Sequence, residues 1–133
     1  MNIVDVEGIG PVFAAKLEEA GVHTTDDLLA RGAKPKGREE LETATGISHG
    51  KILEWVNHVD LYRLDGVGSE YSDLLEEAGV DSPLELSHRV PANLAAKLIE
   101  VNDAKKLVRR VPTEAMVAGW IEQAKSLPKI VEH

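Results

Sequence analysis

Two glycine pairs, Glu7-Gly8-Ile9-Gly10-Pro11 and Asp65-Gly66-Val67-Gly68-Ser69, are the stretches of this chain best suited to hold a ligand. Each leads into an amphipathic stretch that closes on Glu-Glu-Ala-Gly-Val, at 18–22 and 76–80. The chemistry is anion binding. Glycine accepts positive φ and lets another backbone approach closely, and the N–H groups after such a turn are the unpaired donors of a helix N-terminus, where the helix dipole favours negative charge. Many such turns serve only close packing as tight connectors, and without other support that is the more common role.

A phosphate site also needs cations, and the overall balance runs the other way. The 133 residues hold 15 Lys and Arg against 23 Asp and Glu, for a net charge of −8. Eight of the 15 cations fall in two windows, Arg31, Lys34, Lys36 and Arg38, then Lys105, Lys106, Arg109 and Arg110. Lys16 is the one cation within about two helical turns of the first glycine pair. The second pair is set in acid: seven carboxylates and no Lys or Arg occupy 65–85, with Glu70 and Asp73 just after the glycines. Repulsion there opposes the counterion release that drives phosphate binding, so Gly66, Val67 and Gly68 are expected to form a structural turn or to meet a protein.

Other chemistries find little support. Glu54 and His58 share a helix face, but no second pair completes a metal-ligand spacing, and the expectation is surface or half-buried histidines and no metal. Trp55 and Trp120 sit on apolar stripes and read as core, while Tyr62, beside Arg63, is the better candidate for stacking on a base. No nucleophile elbow and no phosphate loop with its Lys and Ser or Thr is present. The acids occupy polar faces and first helical turns. An enzyme is not expected.

The elements that position these residues are helices. No segment alternates apolar and polar over strand length, which gives an all-α class. Aligning 6–28 with 64–86 gives nine identities in 23 positions at an offset of 58, so the chain is an internal repeat of two copies, 1–60 and 61–133. Each reads as four short helices. In the first copy these start at Pro11, after Thr24, about Arg38 following a basic linker over 33–37, and after Ser48; in the second, Ser82-Pro83, Pro91 and Thr113 mark the later starts, the Pro91 helix being expected to end near Asn102. Trp55 and Trp120 correspond at an offset of 65, which puts about seven extra residues near 101–111, on the second basic cluster. One such copy is small for an independent core, and the two are expected to pack as one compact body.

Glu7-Gly8-Ile9-Gly10 with Ala15, Leu17, Ala20-Gly21 and 24–29 resembles the tandem helix-hairpin-helix domains of DNA repair and recombination proteins. That resemblance implies backbone N–H groups on phosphates at the minor-groove side of duplex DNA, a monovalent cation beside the turn and a nearby Lys. It gives Gly8, Ile9, Gly10 and Lys16 as contact residues. More narrowly, Trp55-Val56-Asn57-His58, Asp60-Leu61-Tyr62-Arg63 and the stretch from Asn102 to Trp120 resemble an uncharacterised bacterial family of two fused helix-hairpin-helix units, which implies a fold and no particular activity.

The resulting expectation is weak, sequence-nonspecific DNA binding, with Lys34, Lys36, Arg38, Lys105, Lys106, Arg109 and Arg110 adding charge to the first turn. The alternative is a protein-interaction or scaffold module, which the net charge favours. With no cysteine, no apolar run near the roughly 18 residues of a membrane span and no leader pattern, a cytoplasmic protein without a membrane partner is expected.

Overall fold

Proline and glycine set where the helices begin and end. In a computed structural model describing residues 1–133, the chain forms a 3-10 turn over Ile3–Asp5 and eight α-helices: α1 Pro11–Glu19, α2 Thr25–Gly32, α3 Pro35–Thr45, α4 His49–Leu61, α5 Ser69–Glu77, α6 Pro83–Ser87, α7 Pro91–Lys105 and α8 Glu114–Ser126. The protein is all-α, with one isolated bridge between Asn2 and Thr24. No helix is long and apolar enough to cross a membrane.

The helices fall into two units. One comprises Met1–Asp60 with Ile130–His133, the other Leu61–Lys129. Buried aliphatic residues fill the first, among them Ile3, Ile9, Leu17, Leu28, Leu41 and Ile52. The core of the second includes Leu74, Leu75, Leu86, Leu98, Val117 and Trp120.

The Glu-Glu-Ala-Gly-Val sequences are helix stops. Gly21 (φ +90°) and Gly79 (φ +94°) are left-handed. Around them Gly21 N–H donates to Glu18 O and Val22 N–H to Leu17 O (3.0 and 2.9 Å), and the second copy repeats the pair from Gly79 to Glu76 and Val80 to Leu75 (both 2.9 Å). This paired closure satisfies the last carbonyls of each helix and brings the flanking apolar side chains together; Leu17, Val22, Leu75 and Val80 are all fully buried. The next helices are capped alike, Thr24 Oγ1 accepting from Asp27 N–H and Ser82 Oγ from Glu85 N–H, both at 3.1 Å.

Two boundaries differ from the sequence expectation. α3 starts at Pro35, not near Arg38, because proline suits the first helical position and leaves Lys34 extended before it. Residues 35–37 of the supposed linker therefore belong to the helix, and Lys36 and Arg38 lie in its first turns. α7 continues past Asn102 to Lys105 and ends on Lys106 in the left-handed region (φ 55°), whose N–H donates to Asn102 O at 2.8 Å. With 15 residues against 11, α7 is one turn longer than α3. Part of the added length is thus helix, and the rest is the loop before Thr113.

Residues 130–133 complete the first unit. Val131 is buried, Glu132 N–H donates to Ala33 O at 2.7 Å, Glu132 O accepts from Arg38 Nη2 at 2.7 Å, and His133 Nε2 lies 2.9 Å from Asn57 Oδ1.

Candidate nucleic-acid interface

The first glycine turn is built from local bonds. Val6 N–H donates to Ile3 O (3.2 Å) and Ile9 N–H to Val6 O (3.0 Å), which buries the Ile9 side chain completely. Ile9 is therefore an anchor, and its N–H, already bonded, is not available to a phosphate. Gly8 and Gly10 are exposed, at φ +87° and +49°. Gly10 precedes Pro11, whose ring excludes the right-handed helical region from the residue before it. Since Pro11 carries no N–H, the open donors are those of Gly8, Gly10, Val12 and Phe13, which bond nothing within the chain. The Gly8 and Ile9 carbonyls accept no hydrogen bond, the kind of oxygen donor a monovalent cation takes. Residues 8–13 line a shallow depression of about 420 Å³.

Beneath this turn, Phe13 meets Trp55 with ring centroids 5.2 Å apart, and Lys51 Nζ sits 5.5 Å from the centre of the Phe13 ring, within the range of a cation–π interaction. Lys51 is a cation beside the turn that the sequence reading did not single out. Its counterpart at the offset of 65 is Met116, packed against the second unit's core.

The second turn repeats the frame without the charge. Leu64 N–H donates to Leu61 O and Val67 N–H to Leu64 O, at 3.1 and 3.2 Å. Gly66 keeps φ +88°, and Tyr71 meets Trp120 at 5.3 Å. Gly68, however, is extended (φ −108°), with no proline after it, and Glu70 occupies the first turn of α5. The first turn of α1 carries no acid.

The other candidate cations separate into several environments. Lys16 is exposed in the last turn of α1, where the dipole favours a cation, rather than at the helix start. Lys34 and Lys36 are exposed and line one depression with Arg31 and Glu40. Arg38, expected among the phosphate contacts, is instead fully buried, so it cannot offer its charge to a phosphate. Its guanidinium donates to Gly32 O and Glu132 O (2.7 Å each) and to His49 Nε2 (3.2 Å). Desolvation lowers its pKa, opposed by the Glu132 carboxylate. In the second unit Lys105 is ion-paired with Glu77, whereas Lys106, Arg109 and Arg110 are exposed on a fixed loop. Asn102 holds that loop through both of its amide atoms, Nδ2 to Val108 O (3.1 Å) and Oδ1 from Val108 N–H (2.9 Å), and Tyr71 Oη donates to Arg110 O at 3.0 Å.

Trp55 and Trp120 are buried, as their stripes indicate. Tyr62 is half-buried with its hydroxyl enclosed, and His58 is buried rather than at the surface. Arg31 and Arg89, related by the offset of 58, close the ends of α1 and α5 by donating to Ala20 O (3.0 Å) and Gly79 O (3.2 Å). They lie just beyond the aligned window, and extending it three residues would have found them.

A family model described as a domain of unknown function, DUF4332, matches residues 7–127, nearly the whole chain. The chain belongs to the DUF4332 family. No curated protein and no solved structure matches it significantly. The DUF4332 match takes in both glycine turns, both tryptophans and the Lys105–Arg110 loop, so these belong to the family domain, whereas the returning residues 130–133 lie beyond the matched span.

Proposed function

We propose that this chain is a non-enzymatic helix-hairpin-helix protein that binds the phosphate backbone of DNA weakly and without sequence preference, through its first unit. The observation that carries the reading is the asymmetry of the two glycine turns. The first has open N–H groups at Gly8, Gly10, Val12 and Phe13, no acid in the following turn and Lys51 alongside. The second has Glu70 in that place and apolar Met116 where Lys51 would be. Lys16, Lys34 and Lys36 in the first unit engage no carboxylate, which leaves their charge open to phosphate. No base-reading element accompanies the turn, so selectivity falls on backbone and shape. A cytoplasmic setting fits this reading.

The test is fluorescence anisotropy of the full chain with short double- and single-stranded DNA at two salt concentrations. Binding should weaken with salt, log affinity falling by about 0.9 per phosphate contact for each unit of log salt. A Lys34→Glu, Lys36→Glu, Lys51→Glu variant should lose it, and a Lys106→Glu, Arg109→Glu, Arg110→Glu variant should keep most of it. No binding near 50 mM salt would sink the reading. A protein-interaction module is the second reading, favoured by the ion pairs Arg89–Glu85, Lys105–Glu77 and Lys125–Glu122, all in the second unit. Loss of binding only in the Lys106, Arg109, Arg110 variant would shift the DNA site to that loop.

A further inference from the structure

The first unit is not contiguous in sequence. The chain leaves it at Asp60 and supplies its last piece, Ile130–His133, after the whole second unit. The slot filled by that piece is walled by residues of the 1–60 stretch. Arg38 donates there to Gly32 O at 2.7 Å and His49 Nε2 at 3.2 Å, and its Nη2 donates to Glu132 O at 2.7 Å. Ala33 O faces the Glu132 N–H, and Val131 enters the core at 1% exposure.

Emptying the slot would leave a buried guanidinium N–H and a backbone carbonyl without partners, which costs far more than an apolar gap of the same size. The slot therefore demands an occupant with a fixed chemistry. It must bring a small branched apolar side chain, followed by a residue offering both its main-chain N–H and its C=O.

The piece that meets this demand is joined to α8 by Leu127, Pro128 and Lys129, a non-helical link in which Pro128 and Lys129 are exposed. Recognition at Glu132 runs through the main chain and at Val131 through one side chain, so the same residues from another molecule satisfy every bond equally well. Exchange of an identical element is a low-cost route to dimers. Within one molecule the short link gives a high effective concentration that favours closure on itself, so exchange should grow with protein concentration.

We infer that the slot framed by Ala33, Arg38 and Asn57 is a docking site for residues 130–133 of a second copy of this chain, giving a dimer by reciprocal exchange of that segment. The inference is independent of nucleic-acid binding, since Arg38 is unavailable to phosphate.

The chain has no cysteine, which allows a clean cross-linking test. The Ala33→Cys, Glu132→Cys double variant should oxidise within one chain at low concentration, because the two backbones meet at 2.7 Å. An equimolar mixture of the Ala33→Cys chain and the Glu132→Cys chain should then yield a mixed disulfide dimer in excess of the share that random pairing gives, rising with concentration. Adding Val131→Asp to the Glu132→Cys chain, which still presents its thiol, should abolish that excess. Adding it to the Ala33→Cys chain should increase the excess, since that slot is then vacated. If the double variant locks within one chain while the mixture gives only statistical pairing at every concentration, the inference is overturned. It is overturned equally if Val131→Asp on the donor leaves the yield unchanged.

Discussion

Gly8 lies against the indole of Trp55 so closely that a Cβ at Gly8 would stand 3.4 Å from Trp55 Nε1, and Gly66 repeats the relation with Trp120 at the same 3.4 Å. Both glycines have φ near +88°. Space alone would admit a methyl group, so the demand for glycine comes from the backbone. Gly8→Ala and Gly66→Ala should each destabilise the protein by about 1–2 kcal/mol, the cost of a left-handed residue bearing a Cβ. Gly119 sits within α8 with nothing near its would-be Cβ, and Gly119→Ala should stabilise by about 0.5–1 kcal/mol. Thermal melts of the three variants read opposite signs, with shifts of a few degrees.

Arg38→Met should be among the most damaging single changes. It fills similar volume but leaves the carbonyls of Gly32 and Glu132 without their donor inside the first unit, a loss on the order of 2–4 kcal/mol. Arg38→Lys should fall between, since one ammonium cannot reproduce the fork that meets three separate acceptors. Urea denaturation gives the magnitudes, and accelerated hydrogen exchange at the Glu132 amide would localise the loss.

The capping box at Thr24 predicts a pH dependence. Asp27 Oδ2 accepts from the backbone N–H groups of His23 and Thr24 (3.0 and 3.1 Å), and these bonds hold its pKa below the ordinary carboxylate value. A carboxylate depressed in the folded state contributes stability above its unfolded pKa and loses it as pH falls through the folded one. Asp27→Asn should therefore be less stable than the parent at neutral pH, and the gap should close as pH drops below the unfolded aspartate pKa of about 3.9. A gap that persists unchanged in acid would remove the charge from the explanation.

Asn102→Ala should unfasten the loop that carries Lys106, Arg109 and Arg110. Both main-chain groups of Val108 lose their partner, for about 1–3 kcal/mol. Asn102→Asp keeps an acceptor for Val108 N–H but turns a buried carboxylate oxygen toward Val108 O, and so should be no better than alanine. Proteolysis of the loop in native protein is the direct readout, with cleavage after Arg109 or Arg110 appearing in the alanine variant.

Much of this fold is written locally. The left-handed stops at Gly21 and Gly79, the caps at Thr24, Ser82 and Thr113, and proline at the head of α1 and α7 each depend on a few neighbouring residues, and their spacing exposes them. Pro35 obeys the same rule, yet its basic neighbours made the segment look like a linker. The site is less legible because its residues depend on distant ones. Arg38 stands in a basic window like any surface cation, and what buries it includes a carbonyl 94 positions away. Lys51 becomes relevant only once α4 lays it over Phe13. Ile9 belongs to the glycine turn by sequence, but its N–H is consumed by Val6.

The split of the first unit around the second sets an order on its biosynthesis. Residues 1–60 leave the ribosome before the second unit, yet Ala33 and Arg38 wait for their partners until residue 132 has emerged. The earlier-made unit is thus the later one to reach its final state, and until then Arg38 lacks its Glu132 partner. A ribosome stalled within α8 would hold a first unit whose glycine turn is complete in sequence while Arg38 still lacks the Glu132 carbonyl.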